Sequence, residues 1–379
     1  MTRFFQAIKK RLPSAILAIP ISVFLFAIPV FWALMFWNGC DGLDANCWKR
    51  WDSSLYLDIA NIGYTLVPCT NDANDWCGNA GWAPLYPLTI RAMAMVLGLS
   101  LENAGILLSH FAFLAALLVA ARLAEIKDFS FKNWLSIVLF TVFPGCVYFL
   151  AIFPVSMVML AYLMVFVGLK EEKFFLAGMG GAIAALSYSS GFFIAVPIFV
   201  FCVVRFFYDR KFDAMPTTVL PVILAIGAWF LYFNWKLGHW DALFLIQEKY
   251  GHGIYSPIKM LFTHLQKAYS QFHSPQSIIE IQTVFVFLLG LLLVLDILRK
   301  MQLGQRRPFQ FFQLAFVIML WFVPFSMGPN ISLYRGCIFL APFMLFQKDK
   351  PFVVGALQFA LSVFFMILMS QYFFDKTLI

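Results

Sequence analysis

Ser14–Trp37, SAILAIPISVFLFAIPVFWALMFW, runs for 24 residues without a charged side chain and follows a basic stretch from Arg3 to Arg11. A signal-peptide core is ~7–15 apolar residues long and ends at a small-residue cleavage site. This run is longer and has no such site, so it reads as a retained membrane span. The rest of the chain agrees. Of its 379 residues 62% are hydrophobic and 12% charged, against roughly a quarter charged in soluble domains. That balance excludes a water-soluble protein. The 46 Phe and 11 Trp suit lipid contact, helix packing and headgroup belts. The net charge of +8 comes from basic residues at the ends of apolar runs rather than from one patch, which argues for topology signals and against a nucleic-acid partner.

Working outward from the first span, further spans are expected near residues 104–126, 133–151, 154–169, 174–190, 191–208, 214–235, 278–298, 309–327, 332–347 and 352–373. One stretch, Trp82 to Ser100, has nearly the length to cross but contains Pro84, Pro87 and Arg91. Charge decides it. If the stretch lies along the membrane, 18 of the 27 Lys and Arg fall on the cytoplasmic side and 9 outside. If it crosses, 10 fall inside and 16 outside, and Arg91 is stranded in the bilayer. Basic residues favour the cytoplasmic side, and an Arg at a span's centre costs ~2.5–3.5 kcal/mol, so Trp82 to Ser100 reads as an interfacial helix. The expectation is an all-α integral membrane protein of about eleven transmembrane helices. It forms one polytopic domain over residues 1–379, with a cytoplasmic N-terminus and outer loops at 38–103 and 236–277.

Four of the seven Cys, at Cys40, Cys47, Cys69 and Cys77, lie in the first outer loop. An even set on an oxidising face points to two disulfides, with three possible connectivities. Spacings of six, twenty-one and seven intervening residues do not match a zinc pair. No metal or cofactor is expected, because no carboxylate or His pair at ligand spacing accompanies the candidate acid Asp52.

That acid follows the first span, in Lys49-Arg50-Trp51-Asp52-Ser53-Ser54-Leu55-Tyr56-Leu57-Asp58. A carboxylate at a membrane interface between aromatic anchors is able to take a proton from a hydroxyl acceptor. On composition alone the favoured alternative is an N-cap, Asp52 or Ser53 opening the short helix Leu55 to Asn61, with the aromatics as belt residues. Asp58, six positions on, does not share its helix face. His110, well inside a span, reads as a hydrogen-bonded packing residue.

The order of residues adds a resemblance. Arg50-Trp51-Asp52-Ser53, then Tyr56-Leu57, Ile59-Ala60 and Gly63-Tyr64, resembles the first-loop signature of the PIG-V family, the GPI mannosyltransferase 2 type within the GT-C glycosyltransferases. Four further stretches are similar to family segments in the same order. They are Ala83-Pro84-Leu85-Tyr86-Pro87-Leu88, Phe143-Pro144-Gly145, Gly238-His239-Trp240-Asp241-Ala242-Leu243-Phe244 and Ser332-Leu333-Tyr334-Arg335. Two turns depart from the pattern: Phe153-Pro154-Val155-Ser156 lacks the family's Glu, and Tyr188-Ser189-Ser190-Gly191 lacks its Arg.

The resemblance implies an inverting transfer of a sugar, mannose by analogy, from a polyprenyl- or dolichyl-phosphate donor. The acceptor is a glycolipid, glycan or protein hydroxyl on the non-cytoplasmic face. Asp52 is then the base, Arg335 the first choice and Arg91 the second for the donor phosphate, since a guanidinium grips two phosphate oxygens at once. Trp51, Tyr56, Asp241, Gln247, Lys249 and His252 are the expected substrate contacts, and membrane lipids the other partners. The setting is a bacterial inner membrane or an endoplasmic reticulum membrane, with the site on the periplasmic or lumenal face. Two other functions fit the same chain: a transporter or flippase of lipid-linked sugars, and a non-catalytic subunit that keeps the family fold.

Overall fold

A computed structural model describes residues 15–69, 75–248, 253–272, 274, 276–303, 307–328, 333–346 and 352–374. Six helices among them are long and apolar enough to cross a membrane: Ala15–Trp37, Leu101–Leu123, Gly191–Asp209, Ala214–Leu237, Gln276–Gln302 and Pro308–Ser326. The 23 residues of Ala15–Trp37 extend about 35 Å at 1.5 Å per residue, enough for a hydrocarbon core of ~30 Å. Shorter apolar helices include Leu85–Leu97, Val155–Lys170 and Phe174–Ser187. Among the described residues the architecture is all-α apart from one small hairpin, and it is compatible with a multi-pass integral membrane protein. Leu85–Leu97 occupies the stretch expected to be interfacial, with Tyr86, Pro87, Ile90 and Ala94 buried and Arg91 exposed.

Small residues set the closest helix contacts. A Cβ on Gly178 would lie 2.2 Å from the Thr217 carbonyl oxygen, and one on Gly180 would lie 2.6 Å from that of Ala161. The Phe174–Ser187 helix is thus wedged between Val155–Lys170 and Ala214–Leu237 at backbone contact, which only glycine permits.

Two expected spans are not continuous helices. The expected 133–151 crossing is the helix Phe131–Thr141 followed by Pro144, Gly145 at φ +89° and the 3-10 turn Cys146–Phe149. The expected 332–347 crossing is the short helix Leu333–Gly336 and the 3-10 segment Cys337–Phe346. Proline removes a backbone donor and disrupts the preceding turn, which accounts for the interruptions at Pro144 and Pro342. Irregular backbone without solvent survives where protein encloses it, and residues 143–156 and 337–345 are all buried. The two irregular segments meet, the Cys337 thiol donating to the Pro144 carbonyl at 3.2 Å. A third irregularity, the π-helical turn Ile318–Phe322 ahead of Pro324, sets Trp321 against Gly290.

At one end of the bundle, salt bridges join the helix termini. Arg122 pairs with Glu171, Lys170 with Glu125 at 2.6 Å, and Arg205 with Glu172 at 3.0 Å. The first loop caps the other end.

A candidate active site at the junction of the first loop and the interrupted segments

After Ala15–Trp37 the chain makes a 3-10 turn, Ala45–Trp48, whose cap Asp44 accepts from the Asn46 amide, and then the helix Ser53–Ile62. Between them Trp51 sits at φ +46°. A bulky residue there costs of order 1–3 kcal/mol and persists only where its surroundings enforce it. They do so from both sides. The Trp51 ring packs on Tyr148 at 6.3 Å and Phe373 at 5.7 Å. Arg50 donates to the carbonyls of Phe373 at 2.8 Å and Lys49 at 2.7 Å. Ser53 accepts from the Arg50 amide and donates to the Ile152 carbonyl at 3.0 Å, while the Ile152 amide donates to the Trp48 carbonyl at 3.0 Å. The first loop is therefore bonded directly onto the interrupted segment.

Asp52 occupies the N-cap position of Ser53–Ile62, yet its side chain makes no cap hydrogen bond. Its carboxylate instead accepts from Arg335 Nη1, across a sequence separation of 283 residues. Asp52 thus holds the N-cap position that the alternative reading gave it, without the capping bond. Arg335 comes from Leu333–Gly336 at the head of the second interrupted segment. Its side chain is 7% exposed against 25% for Asp52, and its guanidinium carbon stands 5.4 Å from the Phe153 ring centre. Tyr56, on the same short helix as the acid's cap position, packs edge-on against Tyr86 at 5.4 Å and Phe153 at 6.3 Å. Burial pushes the Tyr56 phenol well above its usual range; the Tyr188 phenol and Asp52 push the same way and Arg335 opposes them. Asp52, Arg335, Tyr56 and Tyr188 therefore share one electrostatic neighbourhood walled by Phe153. A carboxylate and a guanidinium held together there can receive a proton and an anion respectively.

The other expected site residues are distributed differently. Tyr56 is 1% exposed, so its ring belongs to the core under the acid rather than to an open binding surface. Arg91 makes no ion pair with Asp52 among the described residues. Gln247, half-buried on Ala242–Glu248, lies 3.5 Å from the Gly81 carbonyl, which also accepts from Ser189 at 2.6 Å. Asp241 stands 3.7 Å from His239, whose ring packs on Trp76 at 4.8 Å. The second loop is thus seated on the first, through Gly81 and Trp76. Lys249 and His252 lie outside the described residues. His110 Nδ1 donates to the Ile106 carbonyl, 2.8 Å away, and the ring packs on Trp48, as a packing residue should. Asp58 is exposed, off the face that buries Tyr56.

Cys69 and Cys77 are bridged and close the hairpin Leu66–Pro68 with Trp76–Gly78. The expected second bridge is absent: Cys40 and Cys47 are buried free thiols. Burial, then the hydrogen bond with Cys40, pushes Cys47 up to about 12, where little reactive thiolate exists at neutral pH. The turn they occupy is braced by other bonds, among them Trp48 Nε1 to the Gly42 carbonyl at 2.8 Å.

Sequence reasoning quotes Phe153 and Tyr188 only as members of two turns that depart from the family pattern and gives neither a place in the site. Both follow helix-breaking turns, Pro144-Gly145 and the Ser187 helix end, but aromatic residues near breaks are common in a chain with 46 Phe. It also missed the buried pair of His264 and Glu280, 2% and 7% exposed. An open apolar groove of about 420 Å³, lined by Ala18, Ile19, Ser22, Phe129, Ser130, Phe131 and Trp134, shares none of these residues and offers no ionisable group. Comparison of the chain with family models, with curated proteins and with solved structures found no match.

Proposed function

We propose that this chain is a membrane-embedded glycosyltransferase that moves a sugar from a polyprenyl- or dolichyl-phosphate donor to a hydroxyl acceptor. In this reading the apolar helices make eleven crossings with the N-terminus in the cytoplasm, and the first loop faces the periplasm or lumen. The observation that carries the reading is the Asp52–Arg335 pair. It joins the two side chains assigned to proton and phosphate, from opposite ends of the chain, above interrupted helices.

The pair also suggests an order of events. With no donor, Arg335 neutralises Asp52. A donor phosphate arriving at the headgroup plane competes for the guanidinium, whose planar fork matches two phosphate oxygens. Asp52 is then left facing the acceptor. The acceptor oxygen attacks the anomeric carbon, its proton passes to Asp52, and the sugar–phosphate bond breaks with its electron pair leaving on the lipid phosphate. Phe153 and the buried Tyr56 keep the neighbourhood apolar, which strengthens the electrostatics of both steps.

A transporter of lipid-linked sugars has one observation in its favour, because interrupted helices also build substrate sites in transporters. Its charged site belongs near the membrane midplane, whereas Asp52 follows a loop turn beyond the first span. One assay separates these readings and the non-catalytic one. Purified protein is given radiolabelled polyprenyl-phosphate mannose and membrane lipid extracts, and wild type is compared with Asp52→Asn. Label appearing in an acceptor with wild type and not with the variant supports the transferase. Movement of intact donor across vesicles without any transfer, or inertness over a range of acceptors, overturns it.

A further inference from the structure

The helix Pro257–Ser270 lies between the candidate spans Ala214–Leu237 and Gln276–Gln302. At 100° per residue its side chains separate into three faces. Met260, His264 and Ala268 point into the protein and are buried. Lys259, Thr263, Gln266, Lys267 and Ser270 form a polar face. Ile258, Phe262, Leu265 and Tyr269 form a third stripe at helical spacing, 44% to 86% exposed. A helix that merely packed on its protein would need two faces. The third, apolar and narrow, calls for another apolar phase.

The helix is held in one orientation. His264 Nδ1 bonds the Glu280 carboxylate at the start of Gln276–Gln302, and the His264 ring packs on Phe325 at 5.3 Å. Lys267 stands 3.9 Å from the same carboxylate. The approach to the helix is tied by the Gly253 and Tyr255 amides, which donate to the carbonyls of Met327 at 3.1 Å and Ser326 at 2.8 Å. The buried ends of this clamp, Glu280 and Phe325, belong to helices long and apolar enough to span, so the clamp sets the stripe's direction relative to the bilayer.

We propose that Pro257–Ser270 is an interfacial lipid-contact helix. Ile258, Phe262, Leu265 and Tyr269 insert among the acyl chains of the leaflet at this end of the bundle, and Lys259 and Lys267 lie at the level of the headgroup phosphates. The basic residues beside the apolar stripe and the aromatic share within it are those of helices lying in a membrane surface. The occupant is lipid rather than a second protein, because the helix is tied at both ends between spans and its polar face lies beside the stripe. The inference rests on the membrane-spanning architecture and not on the transferase reading.

The test uses the full chain, with single cysteines introduced by Phe262→Cys, Leu265→Cys, Gln266→Cys and Ser270→Cys, each labelled with an environment-sensitive fluorophore. The seven native cysteines are bridged or buried, so wild type is the labelling blank. In vesicles of phosphatidylcholine and phosphatidylglycerol, probes at 262 and 265 are expected to emit at shorter wavelength, to be quenched by doxyl-labelled lipid and to resist aqueous iodide. Probes at 266 and 270 should show the opposite. Iodide access at 262 and 265 equal to that at 266 and 270 overturns the proposal. So does shielding of 262 and 265 from both quenchers, which would mean that protein covers the stripe.

Discussion

Arg205 and Arg335 are both buried arginines bonded to acids, 3% and 6% exposed, and they are set up in opposite ways. Arg205 draws on Glu172 at 3.0 Å, Asp213 at 3.2 Å and Asp209 at 3.8 Å, and it lies 4.8 Å over the Phe174 ring. Those acids are 42% to 60% exposed and sit at the turns that join neighbouring helices. Each carboxylate can hydrate if it is lost from the cluster, so the arrangement is redundant and tolerant. Arg335 faces an acid from the far end of the sequence, three-quarters buried, in an aromatic enclosure. Arg335 is the more shielded partner, so removal of Asp52 leaves a poorly solvated cation. The first is a clamp. The second is an arrangement whose value under the proposed function lies in two opposite charges poised beside an aromatic wall.

The sharpest way to break this contrast is Asp52→Asn, which keeps the volume and removes the base. Sugar transfer should fall by ~10²–10⁴-fold, the usual share of general-base catalysis, while the solubilised protein stays folded. An unchanged turnover with a large loss of thermal stability would make the Asp52 pair a second clamp. Next comes Arg335→Lys, which preserves charge but not the planar fork. Each charge-assisted hydrogen bond is worth about 1.5–3 kcal/mol, so the donor KM should rise roughly tenfold or more with kcat less affected. A kcat loss at constant KM would assign Arg335 to the reacting centre and not to phosphate binding.

Smaller effects belong to the clamp. Glu172→Gln and Asp213→Asn, each removing one exposed partner, should cost under about 1 kcal/mol apiece. Arg205→Ala, which removes every partner and the ring contact at once, should cost more than their sum and leave transfer intact. Thermal melting of the three variants in one detergent checks this. A single acid variant as damaging as Arg205→Ala would show that the redundancy is illusory.

The clamp and the site differ as well in how far the sequence discloses them. Apolar length is a local property, so uninterrupted helices such as Ala15–Trp37 and Gln276–Gln302 follow directly from hydropathy. The residues Pro144-Gly145 and Pro342 are plain in the sequence, yet the runs around them are predominantly apolar and read as whole spans. What distinguishes them is burial by neighbours, which no local window carries. Asp52 and Arg335 were singled out separately, through residue order and chemistry. Their pairing depends on a contact across 283 residues, and Phe153 and Tyr188 enter the site only through the same tertiary closure. The cysteine count failed for a related reason. An even number on one face says nothing of whether packing leaves two thiols, as at Cys40 and Cys47, buried and unbridged.

The mildest prediction concerns acid. Arg122, as hydrogen-bond partner first, and Lys173 hold the Glu171 carboxyl down to about 2 against an ordinary 4.5. A carboxyl depressed on folding contributes stability that is fully present above its unfolded value and is lost as pH falls through its folded one. The difference in melting temperature between wild type and Glu171→Gln should therefore be constant above about pH 4.5 and shrink from there toward pH 2. Salt should reduce it at every pH, because Arg122 and Glu171 are 46% and 30% exposed. A difference that persists unchanged to pH 2 would show that the carboxylate charge contributes nothing, and that this end of the bundle is held by helix packing around Gly178 and Gly180 rather than by its ion pairs.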